Sequence, residues 1–332
     1  MKALILAPFD QSVLARLRQS VEVIYECWMD THKLLPADEF IDRIQGQDIE
    51  IIVIEADFIF REVFEKGGKL KLIAACRGNV THVDMEAATE HGVLVVNTPA
   101  RNATAVAELT VGLMLALIRK VPAAHQMVST GKWVDPTACY SSFRGTELTG
   151  KTIGIIGFGA IGQQVAKMLS AFKTSILVYD PYIDSDVINE LGAKPQELDD
   201  LVKQSDIITL HCPVLPDTMG LMNAQRIASM KPTSYLVNTA GAAIVDQDAI
   251  VKSLKEGHIT GAAFDVYDTW PVQPDNPLLK LDNVILTPHM GGATDETILR
   301  YSLMIAEDIE RFLRGERPKN LLNPQAWDKF AK

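Results

Sequence analysis

Short apolar runs alternate with helical patterns along the first hundred residues of the chain. Each run is rich in aliphatic and β-branched residues, and in the segment that follows it apolar residues recur every three to four positions. This alternation predicts strands joined by helices, and therefore a parallel sheet. The four predicted strands in this part of the chain are residues 2–7, 50–54, 70–75 and 92–96.

The same alternation starts again at Lys151 and predicts a second parallel sheet. Its six predicted strands, the number in a complete doubly wound sheet, are residues 152–157, 175–180, 206–211, 234–239, 259–265 and 283–289. A long amphipathic helix is predicted over Thr294–Leu313, where apolar residues keep helical spacing. Because a chain of 332 residues exceeds the roughly 250–300 residues that one core supports, we expect two α/β domains.

Composition and charge exclude several classes of protein. Hydrophobic residues make up 47% and charged residues 22% of the chain, which is typical of a globular protein and not of a disordered one. The net charge of −10, with no basic patch, argues against nucleic acid as a partner. No apolar stretch is long enough for a membrane span, and no targeting segment is expected.

The four cysteines lack the spacing of a metal or redox site, which predicts no metal and favours a reducing, cytoplasmic compartment; they are Cys27, Cys76, Cys139 and Cys212.

A glycine-rich turn after residues 152–157 provides the strongest chemical signal. Gly157, Gly159 and Gly162 have the spacing GxGxxG, follow a predicted strand and open a helical pattern. This context predicts a dinucleotide site, with the pyrophosphate at the positive end of the helix. The next strand ends at Asp180, whose carboxylate can accept hydrogen bonds from a ribose and would repel a 2′-phosphate, so we expect NAD rather than NADP.

Several further motifs occur in a fixed order along the whole chain. They are Arg77-Gly78-Asn79, Asn97-Thr98-Pro99, Ala105-Val106-Ala107-Glu108, His211-Cys212-Pro213, Gly261 to Asp265 and Thr287-Pro288-His289-Met290-Gly291-Gly292. With these motifs the chain resembles the D-isomer-specific 2-hydroxyacid dehydrogenases, the family of D-lactate, D-glycerate and 3-phosphoglycerate dehydrogenases. The resemblance implies a Rossmann NAD-binding domain of residues 101–293 inserted into a flavodoxin-like substrate domain of residues 1–100 and 294–332. It also implies a homodimer, NAD as cofactor and a small-molecule substrate.

The resemblance assigns roles to individual residues. Arg77, Gly78 and Asn79 would bind the substrate, and His289 would act as the catalytic acid and base. The residues implied in cofactor binding are Thr104, Gly157, Gly159, Ala160, Ile161, Gly162, Asp180, His211, Cys212, Pro213, Ala240, Asp265, Gly291 and Gly292.

Two positions depart from the family pattern. The family uses an Arg to hold a 2-oxo acid and a Glu to keep the His protonated, and this chain has Gly241 and Trp270 at those positions. We therefore expect poor turnover of ordinary 2-oxo acids, because an Arg–carboxylate pair is lost. The candidates to replace the lost groups are Arg77, His82, Arg101 and Asp268.

Three functions are compatible with this pattern. The first is an NAD-dependent oxidoreductase of a hydroxy acid or sugar-acid-like substrate, with His289 as acid and base. The second is an NAD-binding regulatory module without catalysis. The third is an isomerase or lyase that uses NAD without releasing NADH.

Overall fold

The computed structural model describes residues 1–330 and divides into two compact units. The first unit comprises residues 1–101 and the chain from residue 293 onward, and the second comprises residues 102–292. The predicted substrate domain extends to residue 332, and its residues 331–332 lie outside the described part of the chain.

The first unit contains a parallel sheet of the order β2-β1-β3-β4-β5. Its strands are β1 (Lys2–Ile5), β2 (Glu22–Tyr25), β3 (Ile51–Ile54), β4 (Leu72–Ala75) and β5 (Leu94–Val96). Its connecting helices are α1 (Gln11–Leu17), α2 (Trp28–Thr31), α3 (Ala37–Gln47), α4 (Arg61–Lys66) and α5 (Met85–Glu90). This is the flavodoxin-like strand order. The four predicted strands are confirmed, whereas β2 was missed because this edge strand has no fully buried residue and so no continuous apolar run.

The second unit contains the other parallel sheet, of the order β12-β11-β10-β9-β6-β7-β8. Its strands are β6 (Thr152–Ile156), β7 (Ser175–Tyr179), β8 (Lys194–Pro195), β9 (Ile207–Leu210), β10 (Tyr235–Asn238), β11 (Gly261–Phe264) and β12 (Val284–Leu286). Its helices are α6 (Ala103–Ile118), α7 (Val121–Ser129), α8 (Ala138–Ser141), α9 (Ala160–Ser170), α10 (Ser185–Glu190), α11 (Leu198–Gln204), α12 (Ala224–Ser229) and α13 (Gln247–Lys255).

The second sheet has one strand more than the six that the sequence predicts. All six are present, and the additional strand is β8, which has two residues and lies at the edge beyond β7. With β8 counted, strands β6 to β11 follow the doubly wound order 3-2-1-4-5-6, and β12 extends the sheet by one strand. A two-residue edge strand was missed because it leaves no hydrophobic periodicity in the sequence.

Helix α6 contains the longest apolar stretch of the chain. Most of its side chains are buried, and they pack in one core with strands of the second sheet and with helix α9. Its apolar character on several faces is therefore that of a helix in a protein core. Among the described residues, no helix is both long and apolar enough to cross a membrane.

The chain returns to the first unit in helices α14 (Asp295–Leu313) and α15 (Pro324–Phe330). The Thr294 side chain accepts a hydrogen bond from the Thr297 amide and so caps α14. Tyr301, Ile305 and Ile309 are buried in the core beneath the first sheet. The predicted long helix is confirmed, one residue shorter at its start.

The segment between α14 and α15 covers the edge of the first sheet. Leu321 forms an antiparallel bridge with Val96, and the Leu322 amide donates to the carbonyl of Val95. The buried Asn323 side chain accepts a bond from the Val95 amide at 2.9 Å and donates to the Val93 carbonyl at 2.8 Å. Backbone groups of the edge strand β5 are paired in this way rather than left open.

Replacing Asn323 should therefore destabilise the first unit. In Asn323→Ala the Val95 amide and the Val93 carbonyl lose buried partners, and we expect a loss of about 2–3 kcal/mol in the free energy of unfolding. The exposed substitution Glu65→Ala on α4 should change it by less than about 0.5 kcal/mol. Urea unfolding measures both, and equal effects of the two substitutions would contradict the role given to Asn323.

Candidate active site

The glycine-rich turn follows β6 and contacts the loop that follows β9. Gly157 has a φ of +93°, and a Cβ added there would lie 2.4 Å from the amide nitrogen of Cys212. A Cβ added at Gly162 would lie 2.3 Å from the carbonyl oxygen of Gly157. Neither position has room for a larger residue, because backbone lies against both of them.

Gly159 differs from these two glycines. It caps helix α9 and is exposed, and no described atom lies within 4 Å of an added Cβ. Space is therefore open at the helix N-terminus, where the first amides of α9 provide hydrogen-bond donors and positive charge. This open cradle fits the pyrophosphate of a dinucleotide, so the residues present agree with the predicted cofactor.

Asp180 lies directly beside the turn. One carboxylate oxygen accepts from the Phe158 amide at 2.7 Å, and the other accepts from the Tyr182 amide at 2.9 Å. These bonds fix a negative charge at the end of β7, next to the cradle. A carboxylate oxygen has more than one lone pair, so the same group can also accept from a hydroxyl.

The loop after β9 contains two ionisable groups that burial keeps neutral. The His211 Nε2 atom lies 2.9 Å from the Thr209 hydroxyl, and burial lowers the pKa of His211 to about 3. Burial, with a smaller contribution from the charge of Asp180, raises the pKa of the Cys212 thiol to about 11. His211 is therefore an uncharged imidazole near neutral pH and Cys212 an uncharged thiol.

Asp265 follows β11 and holds the loop that follows β12. Its buried carboxylate accepts from the Thr287 hydroxyl at 2.6 Å and from the amides of Met290 and Gly291 at 2.9 and 2.8 Å. A Cβ added at Gly291 would lie 3.0 Å from this carboxylate. The resemblance implies that Asp265 contacts the cofactor, and the structure gives it a positioning role that the sequence analysis missed.

His289 is exposed at the centre of this loop. Its backbone is in the left-handed region with a φ of +54°. The imidazole packs edge-on against the indole of Trp270, with ring centroids 3.8 Å apart and an angle of 73° between the planes. Trp270 thus contacts His289, but it provides a π system and no carboxylate.

Tyr267 connects the loops of Trp270 and His289. Its carbonyl accepts the Trp270 indole N–H at 3.2 Å, and its hydroxyl donates to the Thr287 carbonyl at 2.9 Å. The sequence motifs did not single out this residue. A Tyr two residues after the aspartate that follows β11 is the only signal that the sequence offers for it.

Gly241 lies in the loop after β10, and the side chain of Asn238 makes hydrogen bonds to the backbone of this loop. The Asn238 side chain accepts from the amides of Ala240 and Gly241 at 3.0 and 3.2 Å and donates to the Gly241 carbonyl. A Cβ added at Gly241 would lie 2.3 Å from a methyl group of Val214. The side chain of Val214 therefore occupies the space in which a longer residue at position 241 would begin.

The predicted substrate residues Arg77, Gly78 and Asn79 lie in the first unit, in the loop after β4. The Gly78 carbonyl accepts from the Asn97 side chain at 2.6 Å, and the Arg77 carbonyl accepts from the Thr98 amide. Gly78 and Asn79 are exposed, and Arg77 is half-buried. Hydrogen bonds to the backbone carbonyls of this loop therefore hold it in the first unit, and the surface of the loop stays exposed to solvent.

Two of the candidates to replace the lost groups lie in the first unit, one in an ion pair and one buried. Arg101 forms an ion pair with Glu55 at 3.0 Å and lies over the ring of Tyr301. His82 is buried, and burial, together with the positive charge of Arg77, lowers its pKa to about 4. Asp268 is exposed in the second unit.

Residues 111–291 match the family described as D-isomer specific 2-hydroxyacid dehydrogenase, NAD binding domain. The chain belongs to this family. The expected family and the α/β fold with a Rossmann domain are thereby confirmed. The matched residues make up most of the second unit, so the glycine-rich turn belongs to the NAD-binding domain of a D-2-hydroxyacid dehydrogenase.

Individual relatives agree with this membership. The chain is 42% identical over 290 residues to a D-3-phosphoglycerate dehydrogenase of Methanocaldococcus jannaschii, covering 87% of this chain but only 54% of that protein. It is 40% identical over 289 residues to a glyoxylate reductase of Thermofilum pendens, covering 87% of this chain and 85% of that protein. A solved D-lactate dehydrogenase of Aquifex aeolicus, in complex with NAD and lactic acid, is 27% identical with a TM-score of 0.78, covering 97% of this chain and 99% of that one.

The remaining residues that the sequence implied in cofactor binding lie near the start of a helix or at the end of a strand in the second unit. Thr104 is on the first turn of α6, Ala160 and Ile161 open α9, and Ala240 and Gly292 are half-buried in loops. Their contact with NAD stays a prediction. Among the described residues, no cluster of three or more His, Cys, Asp or Glu could hold a metal ion.

The two glycines at the helix N-terminus should respond differently to a methyl group. Gly159→Ala should fold normally, since its φ of −69° suits alanine, but the methyl fills the cradle and should weaken NAD binding at least about 10-fold. Gly162→Ala should instead lose about 1–3 kcal/mol of stability through overpacking. Calorimetric titration and urea unfolding measure these effects, and unchanged NAD affinity in Gly159→Ala would place the pyrophosphate elsewhere.

Proposed function

We propose that this chain is an NAD-dependent oxidoreductase that interconverts a hydroxy acid or sugar-acid-like alcohol and the corresponding carbonyl compound. The observation that carries the proposal is the exposed imidazole of His289, held at the carboxyl edge of the sheet that also carries the dinucleotide cradle. Ligands of doubly wound sheets bind at this edge. The relatives named as dehydrogenases and reductases support the proposal.

Each residue has a separate part in this reaction. NAD, when bound, accepts a hydride from the alcohol carbon, and NADH returns it. His289 holds the proton that the alcohol oxygen gives up or takes back, as a general acid and base near neutral pH. Asp265 and Tyr267 hold the loop of His289 through its backbone and Thr287. His211 is poorly suited to this role, because burial lowers its pKa to about 3 and so leaves it without the imidazolium form near neutral pH.

The family resemblance supports the assignment of the remaining groups. We assign Arg77, Gly78 and Asn79 to substrate binding, and the glycine turn, Asp180 and the predicted loop residues to the cofactor. Trp270 fixes the ring of His289 by contact but gives an imidazolium less support than a carboxylate would.

We further propose that the protein is a homodimer in the cytoplasm. Support for the dimer comes from the segment of residues 121–140, which carries large exposed apolar side chains; they are Val121, Val128, Trp133, Val134 and Tyr140. Several large exposed apolar side chains within one segment are typical of an interface. The four free cysteines favour a reducing compartment.

NAD should bind at least about 10-fold more tightly than NADP, because the fixed charge of Asp180 repels a 2′-phosphate. Asp180→Asn keeps an acceptor for the Phe158 amide but removes the charge, so it should lower the ratio of NAD affinity to NADP affinity. Asp184→Asn is a matched control, since Asn still caps α10 at that position. Calorimetry with both cofactors tests this, and tighter binding of NADP by the unaltered chain would contradict it.

Loss of the imidazole should remove the reaction and leave cofactor binding intact. His289→Asn suits the left-handed backbone and should lower NADH-linked turnover at least about 100-fold. His258→Asn, a histidine after α13, should have no such effect. The measurement is NADH absorbance over hydroxy acids, 2-oxo acids, their esters and sugar acids, with mass spectrometry of products.

The outcomes of this screen separate the three candidate functions. A net change in NADH that depends on His289 supports the oxidoreductase. A new product without a net change in NADH would indicate an isomerase or lyase. Binding of NAD with no product from any compound would indicate a regulatory module.

A further inference from the structure

The space for a Cβ at position 241 is occupied by a neighbouring side chain, whereas the backbone conformation there would accept any residue. The φ of Gly241 is −172°, an extended conformation that any residue adopts. An added Cβ would nevertheless lie 2.3 Å from a Val214 methyl, while the next contact, with Ile244, is at an ordinary 3.6 Å. A side chain at position 241 would therefore require the Val214 side chain to shift.

Val214 is not a core residue. Its side chain is 45% exposed, so part of the isopropyl group forms open surface at the carboxyl edge of the second sheet. Trp270 and Met290 are also exposed at this edge, at 58% and 45%. The three residues follow β9, β11 and β12, and Gly241 follows β10, so three of these four adjacent loops present an exposed apolar side chain at the edge that also carries His289.

The same loops carry no positive charge. Residues 211–220, 238–246, 265–276 and 287–292 are all described, and none of them is a Lys or an Arg. They contain five aspartates, which are Asp217, Asp246, Asp265, Asp268 and Asp275. A carboxylate brought onto this surface would lose water without gaining a Lys or Arg partner from these loops, and nearby negative charge would repel it.

We propose that Val214 determines substrate specificity, by making this face bind an uncharged, partly apolar group next to the reacting carbon. The inference rests on the proposed function and changes its substrate from the acid itself to carbonyl compounds in which an ester, amide or alkyl group replaces the adjacent carboxylate. The carbonyl carbon gains the hydride of NADH and the oxygen gains the proton of His289, so the products are a secondary alcohol and NAD⁺.

Two loops bracket the space for such a substrate. Gly241 follows β10 and His289 follows β12, with only β11 between them. Since neighbouring strands lie about 4.8 Å apart, the two loops start about 10 Å from each other. We place the small carbonyl compound between these two loops, with one substituent on the Val214 side.

The first test is binding of two unreactive ligands that differ in charge. Oxamate carries a carboxylate beside its carbonyl, and ethyl oxamate carries a neutral ester. Calorimetry on the chain saturated with NADH should show ethyl oxamate binding at least about 10-fold more tightly than oxamate. Binding, unlike turnover, does not depend on the greater reactivity of an ester carbonyl.

Variants at the Val214 position should reverse this preference. Val214→Lys places a cation on the half-exposed surface without crowding Gly241 and should shift the oxamate-to-ester affinity ratio at least about 10-fold toward oxamate. Val214→Met, of similar bulk and no charge, is the matched control and should leave the ratio within about 3-fold. Gly241→Arg should fit only together with Val214→Ala, and this pair should shift the ratio in the same direction as Val214→Lys.

Turnover of pyruvate and methyl pyruvate with NADH completes the test. The ester-to-acid ratio of kcat/KM should fall in Val214→Lys and stay constant in Val214→Met. Tighter binding of oxamate by the unaltered chain, or an unchanged ratio in Val214→Lys, overturns the specificity proposal and leaves the oxidoreductase standing. If NADH binds but neither these compounds nor the wider panel is reduced, the proposed function and this inference both fail.

Discussion

The buried carboxylate of Asp265 is the constraint on which the candidate site depends. It accepts one hydroxyl and two amide hydrogen bonds from the loop after β12, so a single side chain on one strand end fixes the backbone of the next. Hydrogen bonds to a charged group contribute about 1.5–3 kcal/mol each. This is enough to hold His289 in the left-handed backbone conformation, which costs about 1–3 kcal/mol for a residue other than glycine.

The parallel sheet places the other groups relative to Asp265. All strands of the second unit run in the same direction, so the loops after β6, β9, β10, β11 and β12 emerge at one edge. The backbone of Gly157 packs against the backbone of Cys212, so the loops after β6 and β9 are in contact. The Asn238 side chain makes hydrogen bonds to the amides of Ala240 and Gly241 within the loop after β10. The dinucleotide cradle and the loop of His289 are consequences of one sheet.

The departures from the family pattern form a consistent local structure. Val214 fills the space beside Gly241, and Trp270 packs against His289 while its N–H bonds to Tyr267. A damaged site would leave cavities or unpaired groups at such positions. Here a methyl and an indole occupy the space, which is why we interpret the two positions as an altered specificity.

The sequence alone determined the two α/β units and the glycine-rich turn, and it singled out His289 as a candidate. Those features follow from local patterns, since buried parallel strands are apolar runs and a tight turn requires glycine. The edge strands β2 and β8 could not be predicted, because pairing at an edge needs little burial. Only the tertiary structure showed that Asp265 holds the His289 loop, that Arg101 pairs with Glu55, that His82 is buried against Phe58, and that Val214 occupies the space beside Gly241. Each is a contact between residues distant in sequence, and side-chain packing across neighbouring strands leaves no periodic signal in the chain.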